Sequence, residues 1–80
     1  MRGVRETSLN SDDAILLVLY HDEEASQAEL VSILKRAQPT ISNAVKRLDA
    51  EGFLHKSGKA LFITSLGRKR VESLPELLAA

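Results

Sequence analysis

Seven consecutive apolar residues, Ala14 to Tyr20, interrupt an otherwise polar opening. A run that is apolar on almost every side predicts a helix buried inside the fold rather than laid on its surface. Asn10 or Ser11 can cap its start, Asp12 and Asp13 favour the positive end of its dipole, and the polar run HDEEA ends it. Ser26-Gln27-Ala28-Glu29 then spells a capping box, and Leu30, Ile33 and Leu34 follow at helical spacing, so a second helix runs to about Lys35. Pro39 starts a third, pre-set in φ and lacking an amide that would be unpaired there anyway. Its stripe Ile41, Val45 and Leu48 is expected to pack on Leu30, Ile33 and Leu34, with Ile15, Leu16 and Leu19 beneath, and Gly52 stops it. After Gly52 the period changes. FLHK and ALFIT, around Ser57-Gly58-Lys59, predict a β-hairpin. A last helix is expected from Ser65 to Leu74, weakened by Gly67 and stopped near Pro75.

The third helix raises a question through its other side. With Ile41 at the centre of the buried face, about 100° per residue puts Pro39, Asn43, Lys46 and Ala50 opposite. Thr40 and Arg47 fall on one flank and Ser42 on the other. Small hydrogen-bonding side chains beside two adjacent cations suit the major groove of B-DNA, into which a helix fits. Asn43 can read adenine, Arg47 and Lys46 can read guanine, and Thr40 or Ser42 can bond a phosphate.

The charge distribution points the same way. The 80 residues, enough for one small domain, carry no net charge, but the zero hides a division. Residues 1–33 hold two cations against seven acids, a net −5, whereas residues 34–71 hold nine cations against Asp49 and Glu51, a net +7. Such asymmetry suggests a polyanion bound through one half of the chain. The lack of cysteine excludes a disulfide framework and a thiolate metal site. The longest apolar run is too short to span a bilayer, and MRGVRETSLN lacks the apolar core of a signal peptide, so a cytoplasmic protein with no membrane partner is expected.

Three helices, the last two joined by a short turn, followed by a hairpin, are the parts of a winged helix-turn-helix. SQAELVSILKRAQPTISNAVKRLDAEGFL resembles the core of that superfamily, and KALFITSLGRKRV is similar to its wing-exit pattern, I-T-x-x-G-R. The pattern looks most like the regulators of the multiple-antibiotic-resistance type (MarR-like). The resemblance implies a mainly α fold with a small β-hairpin wing: an arm over residues 1–10, the winged domain over 11–75 and a tail over 76–80. It implies a transcriptional regulator that binds double-stranded DNA, with the third helix in the major groove and the wing on the backbone or minor groove. The contact set carried over is Arg36, Gln38, Pro39, Thr40, Ser42, Asn43, Lys46, Arg47, Lys56, Lys59 and Arg68. No cofactor is implied. Either Leu74, Leu77 and Leu78 form the small seam of a homodimer, or the chain acts as a monomer or as a module of a larger protein assembly. The turn departs from the family pattern: Lys35-Arg36-Ala37 stands where glycine, an apolar residue and a capping serine are common.

Other chemistry finds little support. His21-Asp22-Glu23-Glu24 offers ligand types, but consecutive loop residues seldom converge on one ion. Ser42 has no histidine at a spacing that suggests a relay, and there is no glycine-rich phosphate loop, so an enzyme is not expected. The competing reading is a protein-interaction or autoregulatory winged helix within a replication or transcription assembly, because fold alone does not decide function.

Overall fold

The computed structural model describes residues 10–73. The expectations for the N-terminal arm and for Leu74, Pro75, Leu77 and Leu78 therefore fall mostly or wholly outside the described residues. The element order is α1 (Ser11–Asp22), β1 (Glu24–Ala25), α2 (Gln27–Leu34), α3 (Gln38–Ala50), β2 (Leu54–Ser57), β3 (Ala60–Ile63) and α4 (Ser65–Glu72). This is the expected arrangement: three helices, a wing and a short final helix.

Local chemistry explains each boundary. Asn10 caps α1 by accepting the Asp13 amide at 2.8 Å. Both arms of the α2 capping box are present: Ser26 Oγ accepts the Glu29 amide at 3.1 Å, and Glu29 Oε1 accepts the Ser26 amide at 2.8 Å. The end of α2 explains why glycine suits this turn. Lys35 is left-handed at φ 56, a conformation that costs a side-chain-bearing residue roughly 1–2 kcal/mol. Ala37 then occupies the N-cap of α3 with no side-chain bond, and the helix begins at Gln38, one residue ahead of Pro39.

One strand was not foreseen in the sequence. The polar run after Tyr20 does not merely end α1: Glu24 and Ala25 pair antiparallel with Phe62 and Leu61, making a three-stranded sheet in the order β1-β3-β2. Glu23, at φ 71, turns the chain into it, and its amide bonds the Leu19 carbonyl at 2.9 Å. The wing itself pairs Leu54 with Ile63 and Ser57 with Ala60, leaving Gly58 and Lys59 as a two-residue tip. Gly58 takes φ 62 at the first central position, where a tight hairpin turn calls for glycine.

The core gathers Ile15, Leu16 and Leu19 of α1, Leu30 of α2, Ile41, Val45 and Leu48 of α3, Leu54 and Val71, all essentially inaccessible. The expected packing holds with one correction. Ile33 is 51% exposed, because α2 turns inward only along Leu30, with Val31 and Leu34 at the margin. Gly67 likewise strengthens the fold where the sequence suggested a weak point. It is buried, and its missing side chain lets α4 approach the backbone at Phe53. Thr64 locks the same corner: its hydroxyl donates to the Gly52 carbonyl at 2.6 Å and accepts the Gly67 amide at 3.1 Å. The I-T-x-x-G pattern is thus the corner that seats α4 against the wing.

Candidate nucleic-acid interface

Helix α3 buries Ile41, Ala44, Val45 and Leu48 and turns its other side to solvent. Gln38, Pro39, Thr40, Asn43, Lys46 and Arg47 are exposed, and Ser42 is half-buried at the edge, so the face predicted from the helical period is present. Lys56 and Lys59 are exposed on the wing. They share an open cleft of about 390 Å³ with Ser26, Gln27, Ala28, Gly58 and Leu61, so the wing tip stands beside the N-terminus of α2. Two cations therefore border one space with the start of α2, where Glu29 already caps the Ser26 amide.

The cations divide by residue type. Lys46, Lys56 and Lys59 are exposed and form no ion pair among the described residues. The arginines are engaged. Arg47 pairs with Asp12 of α1 through two bonds, Nη2 to Oδ1 at 2.6 Å and Nε to Oδ2 at 3.3 Å. Those bonds first, and the Asp12 charge second, raise its pKa above the ordinary arginine value. Arg36 is half-buried and donates from Nη1 to Ser11 Oγ at 3.0 Å. Arg70 donates from Nε to Asp13 Oδ1 at 3.0 Å and lies over the Phe53 ring, 5.3 Å from its centroid. Three successive residues at the start of α1 thus hold three arginines from the turn, from α3 and from α4. Their long sequence separations hide this hub from local pattern.

Arg68 sits elsewhere. Its guanidinium lies 5.8 Å from the Tyr20 ring centroid, in a cleft lined by Asp22, Glu23, Glu24, Phe62 and Ile63. Tyr20 donates a 2.9 Å bond to Glu72, which raises the phenol pKa. Arg68 thus belongs to an acidic surround, unlike the wing lysines with which the sequence grouped it. His55 lies exposed on β2, its ring 6.4 Å from that of Phe62. Among the described residues no three His, Asp or Glu side chains gather closely enough to share a metal ion.

The sequence profile of the MarR family matches residues 14–59, from α1 through the wing tip. The chain belongs to the MarR family. Solved structures agree in fold. The transcriptional regulator Tm0710 from Thermotoga maritima is 28% identical, with a TM-score of 0.77 over 94% of this chain and 58% of that one. The heme sensor protein PefR from Streptococcus agalactiae, solved in complex with heme, is 26% identical, with a TM-score of 0.69 over 86% of this chain and 53% of that one. MepR, a transcription regulator of the Staphylococcus aureus multidrug efflux pump MepA, shares the fold at 21% identity and a TM-score of 0.73, over 98% of this chain and 63% of that one. This MarR-family chain therefore spans less than two thirds of each of these relatives. No curated protein matches it. Among its described residues no helix is long and apolar enough to cross a membrane.

Proposed function

We propose that this MarR-family chain binds double-stranded DNA and acts in transcriptional regulation. Helix α3 enters the major groove and the wing lies against the phosphate backbone or minor groove. The observation that carries the reading is the outward face of α3. Thr40, Asn43 and Lys46 form an exposed strip with small side chains near the helix start, where the backbone must come closest to base edges. Asn43 and Arg47 read bases. Lys46 and the wing pair Lys56 and Lys59 hold phosphates, with Thr40 and Ser42 as hydrogen-bonding partners of the backbone. Arg36 and Arg68 take lesser parts, since Ser11 and Tyr20 already hold them. The description of Tm0710 as a transcriptional regulator supports the reading. The chain works in the cytoplasm, as a homodimer or within a larger assembly, and without catalysis.

A fluorescence-anisotropy titration with duplex DNA over a series of salt concentrations tests this. The log–log slope should be about −0.9 per neutralised phosphate, corresponding to roughly four to six contacts. Lys46→Ala should weaken all duplexes alike and reduce the slope by about one. Duplex affinity that is absent, or indifferent to salt, would move the protein-interaction reading to first place.

A further inference from the structure

The pairing of Arg47 with Asp12 is side-on. Asp12 takes one hydrogen from Nε and one from Nη2, at 3.3 and 2.6 Å. A guanidinium carries five hydrogens in one plane, so Nη1 and the second Nη2 hydrogen are left on the adjoining, end-on edge. That edge has no bond to any described residue. Exposure is divided accordingly: 56% for the Arg47 side chain and 23% for that of Asp12. The carboxylate is the inner partner and the guanidinium the outer one. Two paired end-on donors are what the O6 and N7 acceptors of guanine require in the major groove.

We propose that Asp12 is a positioning residue for base recognition: it holds Arg47 by one edge so that the other edge is presented, already oriented, to a guanine. The inference rests on the proposal that α3 binds duplex DNA. A long side chain loses rotamer freedom when it binds, and a clamp that fixes it beforehand removes much of that cost. Asp12 is itself held at the start of α1, where the helix dipole favours its charge. The neighbouring pair of Asp13 and Arg70 secures the same turn to α4. This gives the two aspartates a purpose beyond stabilising their own helix, and it gives Arg47 a geometry that lysine could not adopt.

The experiment compares affinity for a duplex enriched from a randomised library with affinity for a shuffled duplex of the same composition. The intact chain is used, in parent form and as variants whose thermal melts confirm folding. Asp12→Asn should lower the ratio of the two affinities roughly tenfold, by loosening one bidentate contact. Affinity for the shuffled duplex should change no more than it does in Asp49→Asn, which removes the same charge from an exposed site on α3. Arg47→Lys should lower the ratio similarly, and the double variant should lose no more than either single one. Asp12→Glu keeps the charge and moves the carboxylate by one methylene, and it too should lower the ratio.

Three results overturn the inference. One is a ratio unchanged in Asp12→Asn or already unity in the parent. Another is additive losses in the double variant. The third is a gain for both duplexes beyond that of Asp49→Asn, which would make Asp12 a competitor of DNA for Arg47. A parent with no duplex affinity at all is a different failure, that of the DNA-binding proposal itself.

Discussion

Gly67 stands directly against the carbonyl oxygen of Phe53. A Cβ built at this position would fall well inside contact distance of that oxygen and 2.7 Å from Ile63 Cγ1. The carbonyl cannot easily move, because it also accepts the Thr64 amide at 3.2 Å. Gly67→Ala should therefore destabilise the fold by about 1–3 kcal/mol through overpacking. Helix propensity alone predicts a gain of up to about 1 kcal/mol. Urea denaturation separates the two, and a stabilised variant would show that α4 does not seat on Phe53 as described.

The unaided start of α3 gives the opposite expectation. Ala37 is extended, at φ −61 and ψ 145, and has no side-chain oxygen to offer the first free amides of the helix. Ala37→Ser should stabilise the protein by about 1 kcal/mol. In a domain of this size that should raise the melting temperature by roughly 4–8 °C. A lower melting temperature would mean that Ala37 is not the cap.

The core correction can be measured directly. Leu48 is buried on α3, whereas Ile33 is exposed on α2. Leu48→Ala should cost about 2–5 kcal/mol. Ile33→Ala should change stability by no more than about 0.5 kcal/mol. Equal losses on thermal melting would restore Ile33 to the core.

The wing lysine carries a prediction about binding without one about stability. Lys59 is exposed at the hairpin tip and has no ion-pair partner among the described residues. Lys59→Glu should leave the melt unchanged and weaken duplex binding, lowering the salt slope by roughly one. Anisotropy titrations at two salt concentrations suffice, and unchanged affinity would remove the wing from the interface.

Much of this architecture is written in short-range chemistry. The Ser26 and Glu29 capping box, the Asn10 cap and the Ile41, Val45 and Leu48 stripe involve residues within a turn or two of each other, and all of them form as expected. What stayed hidden depends on partners distant in sequence. Strand β1 is only two residues long and exists because β3 offers an edge to Glu24 and Ala25. Ile33 has the same helical spacing as its buried neighbours, and only the placement of α2 against the rest of the core turns it outward.

The charges teach the same lesson about the candidate interface. Asp12 and Asp13 can be read locally as favourable to the α1 dipole, but they also hold Arg47 and Arg70 from the basic half of the chain. The division between an acidic first part and a basic remainder includes those two pairings. It could not say which cations were engaged. The structure separates the exposed lysines from the arginines, and it sets Arg68 beside acidic residues while Lys56 and Lys59 share the wing cleft.

The central claim is that the outward face of α3 and the wing tip together contact duplex DNA. Backbone amide shifts recorded during a titration with duplex DNA test it most directly. The account predicts the largest changes over residues 38–47 and 56–60, at moderate salt, reversed as salt is raised. Changes confined to other surfaces, or none at any DNA concentration, would contradict it.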